Sequence, residues 1–171
     1  SGIGEQDGLL VFFAGHGYTE KGKDRQLGYL IPHDGSFETR EMHKNVSMTQ
    51  VKEDISSKIP AKHVFYVMDC CYSGVLLSTR SGDSKKPERS RAYLERITKE
   101  TVRQVLTAGT DKEEVLDGGP FGHSVFTGRL IEALRENQDY LTGTELSVII
   151  QERVASDAQA KGHPQTPQAG R

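Results

Sequence analysis

The chain has 171 residues, of which 35% are hydrophobic and 27% are charged, a balance typical of one soluble globular domain. A net charge of −2 and a pI near 6.3 disfavour nucleic-acid binding, which usually depends on a basic surface. No apolar run approaches the ~18 residues that a membrane helix needs, and no signal-peptide pattern opens the sequence.

The chain contains two cysteines, and they are adjacent, at positions 70 and 71. Neighbouring cysteines rarely form a disulfide with each other, so we expect a reducing, cytoplasmic environment. The short polar lead before the first apolar run and the Pro/Gln/Gly-rich end, "KGHPQTPQAGR", have no closing element of their own. We therefore expect one domain over residues 1–171 that is a piece of a longer chain and lacks edge strands.

Two continuous apolar runs, "GLLVFFAG" (Gly8–Gly15) and "HVFYVMD" (His63–Asp69), predict central parallel strands buried on both faces. Between them, "LGYLIPHDG" (Leu27–Gly35) predicts a short strand or hairpin arm. A helix should follow from the capping-box pair Ser47 and Gln50 and end at Pro60. Its predicted buried face consists of Met48, Val51, Ile55 and Ile59.

In the second half, residues 78–91 are basic and polar and predict an exposed loop, followed by a short helix near Ala92–Lys99. "RQVLTAG" (Arg103–Gly109) predicts a third strand. Two helices should follow. Their predicted buried positions are Phe126, Leu130, Ala133 and Leu134 in "SVFTGRLIEALREN", and Leu146, Ile149, Ile150 and Val154 in a helix from about Thr144 to Lys161. Alternating strands and helices predict an α/β fold, a three-layer α/β/α sandwich with a mostly parallel central sheet.

Reactive side chains follow the first two predicted parallel strands. His16 lies in "GHG" after the first, and Cys70 and Cys71 lie in "DCCYSG" after the second. Neighbouring parallel strands end at the same edge of a sheet, so the imidazole and a thiol should meet there, where a thiolate nucleophile could form. A buried cysteine and a histidine in a glycine turn also have purely structural interpretations, and the pattern alone leaves both open.

"FFAGHG" followed by "DCCYSG" resembles the His and Cys signatures of the caspase-like cysteine peptidases (clan CD, peptidase family C14). The similarity is greatest to metacaspases, paracaspases and their bacterial relatives, whose cysteine motif reads Asp-x-Cys-x-Ser-Gly. The separation of 55 residues agrees with the ~50 typical of caspases. The resemblance implies that Cys71 is the nucleophile, that His16 is the general base or acid, and that the amides of Gly17 and Cys71 form the oxyanion hole.

Asp69 occupies the position at which metacaspases and paracaspases line an acidic pocket for Arg or Lys. The resemblance therefore implies cleavage after a basic residue, for which a carboxylate is well suited. The alternative is that Asp69 merely caps a turn. A second pocket acid, normally on the first strand of the family's fold, is not visible in this sequence.

Calcium activation, common in metacaspases, is not supported, because the stretch after the cysteine motif, "VLLSTRSGD", has no nearby acid; we expect no cofactor and no metal site. The loop that contains Asp111, Glu113, Glu114 and Asp117 should simply be solvated.

The basic loop offers possible processing sites for an Arg/Lys-specific peptidase, namely Arg80, Lys85, Lys86, Arg89 and Arg91. A solvated charged loop is the alternative.

The leading hypothesis is a cysteine endopeptidase that cleaves after Arg or Lys through a Cys-His dyad. By resemblance it would act in regulated proteolysis or bacterial cell death and defence. Its partners would be protein or peptide substrates, and a regulatory sensor or a missing fragment of the same domain, with no nucleic acid or membrane. Two alternatives stay open: a catalytically silent caspase-like scaffold, and a cysteine hydrolase or transferase with another substrate.

Overall fold

The computed structural model describes residues 2–21, 26–70, 95–110 and 112–171. In this part of the chain, two sheets form. The larger has strands in the order β1 (Gly8–Ala14), β5 (His63–Asp69), β6 (Val102–Thr107) and β7 (Gln168–Gly170). The first three strands are parallel and β7 is antiparallel. The smaller antiparallel sheet contains β2 (His16–Lys21), β3 (Gln26–Ile31) and β4 (Val46–Ser47).

The helices alternate with these strands. A 3-10 helix (Thr39–Lys44) precedes β4, and a π-helix (Gln50–Ile55) continues into the short α1 (Ser56–Lys58). A 3-10 turn (Pro120–Gly122) leads into α2 (Val125–Glu136), and α3 (Gly143–Ala160) follows. The predicted α/β class, with a mostly parallel sheet flanked by helices, is confirmed.

The larger sheet has a core on each face, because side chains alternate along β5. Val64, Tyr66 and Met68 point to a first cluster that includes Met48 and Val51. Val67 points to a second cluster under α2 and α3, which includes Leu106, Phe126, Leu130, Ile150 and Val154. An apolar run without polar interruption is therefore what the central strand β5 requires.

The strand predicted from Gly8–Gly15 is present, but the prediction that both its faces are buried is wrong. Leu9, Val11 and Phe13 pack on the first cluster, whereas Leu10 and Phe12 remain 52% and 45% exposed. Among the described residues β1 pairs only with β5, so it lies at one edge of the larger sheet. Its apolar character alone could not distinguish this position from a central one.

The helix predicted after Ser47 forms, and the Oγ of Ser47 accepts a hydrogen bond from the Gln50 N–H over 3.1 Å. Met48 and Val51 are buried as expected, but Ile55 is 41% exposed. The π-helical turn has more residues per turn than an α-helix and therefore rotates Ile55 away from the predicted face.

The predicted strands at Leu27–Gly35 and Arg103–Gly109 are confirmed as β3 and β6. Of the helix predicted near 92–99, residues 95–99 are described and residues 95–97 are helical; the loop 78–91 lies outside the described residues. The predictions for α2 and α3 hold, except that Leu134 is 48% exposed and Ile149 is only half-buried. Three of the described strands were missed: β2 and β4, which both pair with β3, and β7, which pairs with β6.

Candidate active site

The ends of β1 and β5 meet at one edge of the larger sheet. The register pairs Gly8 with His63 and Ala14 with Asp69, a constant offset of 55 residues. At the last of these pairs, the Gly15 N–H donates a 3.1 Å hydrogen bond to the carbonyl oxygen of Asp69 and holds the residue before His16 against the end of β5. His16, the next residue, begins β2. The two strands that precede the motifs therefore end at one sheet edge, as predicted, whereas Cys71 lies outside the described residues.

The imidazole of His16 is exposed and lies beside the Phe37 ring. The two rings pack edge-on, with centroids 5.9 Å apart and planes at 65°. The Tyr18 ring also packs edge-on against Phe37, with centroids 6.4 Å apart. Gly17, the predicted oxyanion donor, lies between His16 and Tyr18 in β2, opposite Leu30. This arrangement places the imidazole at the surface, where a substrate can reach it.

A cavity of about 700 Å³ opens between this sheet edge and the N-terminal end of α2. Its polar lining comes from four segments that are distant in sequence, and consists of His16, Asp69, Asp117, His123, Ser124 and Thr127. An apolar wall continues from it along β1 and α2 and includes Phe12, Leu130, Ile131 and Leu134. A peptide could therefore place a charged side chain among the polar groups and an apolar one along the wall.

Asp69 is buried, with 7% of its surface exposed, and is held from α2. Its Oδ2 accepts a 2.5 Å hydrogen bond from the Ser124 Oγ and a second one from the Thr127 Oγ1. Its Oδ1 is buried and has no hydrogen-bond partner among the described residues. Both hydroxyl bonds are made to Oδ2, and neither is a bond to a turn in which Asp69 itself lies, which was the alternative considered for this residue.

Of the two adjacent cysteines, the structure describes Cys70 but not Cys71. The Cys70 side chain is 1% exposed and belongs to the first core cluster, on the opposite face of β5 from Asp69. This agrees with the expected alternation along the strand. Cys71, and with it the predicted oxyanion amide, lies outside the described residues. So do the predicted processing sites Arg80, Lys85, Lys86, Arg89 and Arg91.

The loop 112–119, which carries two cavity residues, is tied to the segment before β7. The buried Gln165 amide accepts a hydrogen bond from the Leu116 N–H (3.0 Å) and donates one to the Ala108 carbonyl (2.9 Å). The Lys161 ammonium donates to the carbonyls of Asp117 and Gly118. These bonds fix the backbone that presents Asp117 and Val115 to the cavity.

The expectation that the acidic loop is merely solvated is wrong for Glu113. Its carboxylate accepts hydrogen bonds from the Thr110 N–H and from both the N–H and the hydroxyl of Thr166. Partial burial opposes ionisation, but these hydrogen bonds outweigh it and lower the pKa of Glu113. Asp117 lines the cavity, and Asp111 lies outside the described residues.

Sequence reasoning missed Ser124, Thr127 and His123 as residues of this site. The available signal was the serine immediately before the apolar periodicity of α2, which is typical of a helix N-cap. Ser124 is indeed the N-cap, and its Oγ accepts a hydrogen bond from the Thr127 N–H. Nothing in the local sequence indicated that this helix begins beside Asp69.

Comparison with protein families agrees with this geometry. The caspase domain family, Peptidase C14, matches residues 4–170. The chain belongs to the caspase-domain family. The predicted resemblance is thereby confirmed over nearly the whole sequence.

A solved structure shows the same fold at greater distance. The caspase-domain chain aligns with a Geobacter sulfurreducens protein at a TM-score of 0.57 and 16% identity, covering 98% of this chain and 66% of that one. The chain thus spans slightly less than two thirds of that structure. No curated protein matches. Within the described ranges no helix is long and apolar enough to cross a membrane.

Proposed function

We propose that this caspase-domain chain is a cysteine endopeptidase that cleaves after Arg or Lys, with Cys71 as nucleophile and His16 as its proton-transfer partner. The observation that carries this proposal is the constant offset of 55 between β1 and β5. His16 and Cys71, each two residues beyond the last pair Ala14 and Asp69, are separated by the same offset in sequence. The Gly15–Asp69 hydrogen bond supports the proposal, because it holds the residue before His16 against the end of β5.

In the proposed reaction, the thiol of Cys71 gives its proton to His16 and the thiolate attacks the scissile carbonyl carbon. The negative charge that develops on the carbonyl oxygen is stabilised by the amides of Gly17 and Cys71. The C–N bond then breaks as His16 protonates the leaving amine, and a thioester remains. Water, deprotonated by His16, hydrolyses the thioester and regenerates the thiol.

The preference for a basic residue rests on Asp69. The Oδ1 atom is buried, unpaired within the described part of the chain, and belongs to a residue that lines the cavity with His16. A buried carboxylate oxygen without a donor is unfavourable, and a guanidinium or ammonium group is the donor that pairs with it most strongly. Regulated proteolysis, in cell death or defence, stays a prediction by resemblance, and cytoplasmic localisation stays a prediction from the cysteine content and the lack of a signal-peptide pattern.

The test uses fluorogenic peptides that end in Arg, Lys or Asp, with and without calcium. Cleavage after Arg and Lys should disappear in Cys71→Ala and His16→Ala, whereas Cys70→Ala should keep it because that thiol packs in the core. Cleavage only after Asp would refute the role of Asp69. Activity that survives Cys71→Ala would refute the nucleophile. No cleavage by the unmodified chain would favour the silent scaffold.

A further inference from the structure

Asp69 is held by two hydroxyl groups, and both of them donate hydrogen bonds to its carboxylate. The Ser124 Oγ accepts a hydrogen bond from the Thr127 N–H (2.9 Å), so its own proton is available for the Asp69 Oδ2 at 2.5 Å. The Thr127 Oγ1 donates to the same oxygen. Oδ2 of Asp69 therefore accepts from two hydroxyl donors at once, and neither of these bonds involves Oδ1.

The two bonds also fix the orientation of the carboxylate. Because Ser124 and Thr127 both bind Oδ2, rotation of the group would break two hydrogen bonds at once. Oδ1 consequently keeps one position, buried and without a partner in the described residues, in a residue that lines the 700 Å³ cavity. The N-terminal end of α2, a helix of 12 residues, lies behind the carboxylate and further stabilises negative charge.

We propose that Ser124 and Thr127 are positioning residues that determine how tightly the site holds a basic side chain. They act through Asp69 by holding Oδ2, so that Oδ1 is the oxygen that pairs with a guanidinium or ammonium group. This inference rests on the proposed function for the role of Asp69, but it concerns binding, so it can be tested separately from cleavage.

The experiment compares Thr127→Val with Thr127→Ser in the full chain. Valine removes the hydroxyl and is close to threonine in shape. It keeps the backbone N–H that donates to the Oγ of Ser124, the N-cap of α2. Serine keeps the hydroxyl. Binding of Nα-acetyl-arginine amide, with the norleucine amide as the uncharged control ligand, is measured by calorimetry in the Cys71→Ala background. The same Thr127 substitutions, with Cys71 intact, are assayed for KM and kcat on an Arg peptide.

We expect Thr127→Val to weaken arginine-amide binding roughly tenfold, the effect of losing one charge-assisted hydrogen bond. KM should rise by a similar factor while kcat changes less, and Thr127→Ser should stay within about threefold of the unmodified chain. A purely structural role for Thr127 would instead weaken both ligands equally. Should Thr127→Val fail to fold, Thr127→Ala is the second hydroxyl-free variant.

Each result decides the proposal. The proposal would be overturned if arginine amide bound equally well to Thr127→Val or to Asp69→Asn. It would also be overturned if arginine amide did not bind to the site with Asp69 and Thr127 unchanged. If arginine amide binds and the Thr127 series behaves as expected but no peptide is cleaved, the positioning role stands and the proposed peptidase function fails.

Discussion

The Phe37 ring lies edge-on to the imidazole of His16, with centroids 5.9 Å apart, although Phe37 is itself 58% exposed. An exposed phenylalanine on a loop is usually replaceable. This one is in contact with the residue proposed to transfer protons, and it limits the orientations of an imidazole that is otherwise at the surface. The contact therefore leads to a prediction about rate.

Phe37→Ala should lower kcat roughly two- to tenfold, because an edge-to-face aromatic contact contributes about 0.5–1.5 kcal/mol and that contact orients the imidazole of His16. Phe37→Tyr, which keeps the ring, should behave as the unmodified chain does. The matched control is Phe121→Ala, since Phe121 is 55% exposed and packs under Arg135 instead. Equal rates for Phe37→Ala and Phe121→Ala would contradict a role in orienting the imidazole.

Gln165→Ala should destabilise the protein by about 2–4 kcal/mol. The side chain is 1% exposed, and its loss leaves the Leu116 N–H and the Ala108 carbonyl without their partner. Chemical denaturation measures the effect. Gln168→Ala is the control, because the Gln168 amide makes an exposed bond to the Thr166 carbonyl and its loss should cost under about 1 kcal/mol. A loss for Gln165→Ala no larger than the control would refute this.

The contact between α2 and α3 should make stability depend on pH. The Arg129 guanidinium donates two 2.7 Å hydrogen bonds to the Asp157 carboxylate, which lowers the pKa of Asp157 below its ordinary value of 3.8. When the pKa of a carboxyl group is lower in the folded state than in the unfolded state, the group stabilises the protein at every pH above the unfolded-state pKa. This stabilisation is lost as the pH falls through the folded-state pKa.

Asp157→Asn should therefore cost about 1–2 kcal/mol at pH 7, and the difference from the unmodified chain should shrink steadily below about pH 4. Urea denaturation at several pH values measures both quantities. Glu136→Gln is the control, since the Glu136 side chain is 57% exposed and its pair with Arg153 should contribute little. A difference that persists unchanged at pH 3 would show that the charge is not the cause.

Gly128→Ala should be destabilising, although alanine normally favours a helix by up to about 1 kcal/mol. A Cβ at Gly128 would lie 2.6 Å from the Pro120 Cδ and 2.7 Å from the Pro120 nitrogen and carbonyl oxygen. Overpacking against backbone costs about 1–3 kcal/mol. We expect a lower midpoint in thermal or urea unfolding.

The control for this substitution is Gly143→Ala, at the start of α3. There the close atom, at 2.6 Å, is the Oε1 of Gln104, at the end of a flexible side chain that can move. This variant should be close to neutral. If Gly128→Ala is also neutral, the packing of α2 against the Pro120 turn is looser than the structure indicates.

Much of this fold could be predicted from the sequence, because its central strands are long, uninterrupted apolar runs and parallel neighbours end at one sheet edge. The same argument predicted that His16 and the cysteine motif lie at one sheet edge, and His16 and Asp69 line one cavity there. The sequence also predicted the helix start at Ser47, whose Oγ accepts the expected hydrogen bond from the Gln50 N–H.

Other features depended on contacts between segments that are far apart. The exposed face of β1 depends on which elements cover it, and the π-helical turn at Ile55 depends on local hydrogen bonding that periodicity does not report. The Ser124 and Thr127 hydroxyls reach Asp69 from 55 and 58 residues away. The sequence by itself determined which strands carry the site, because strand formation follows local apolar patterns. Only the tertiary structure decided which side chains hold the Asp69 carboxylate, because that depends on where the beginning of α2 packs against the end of β5.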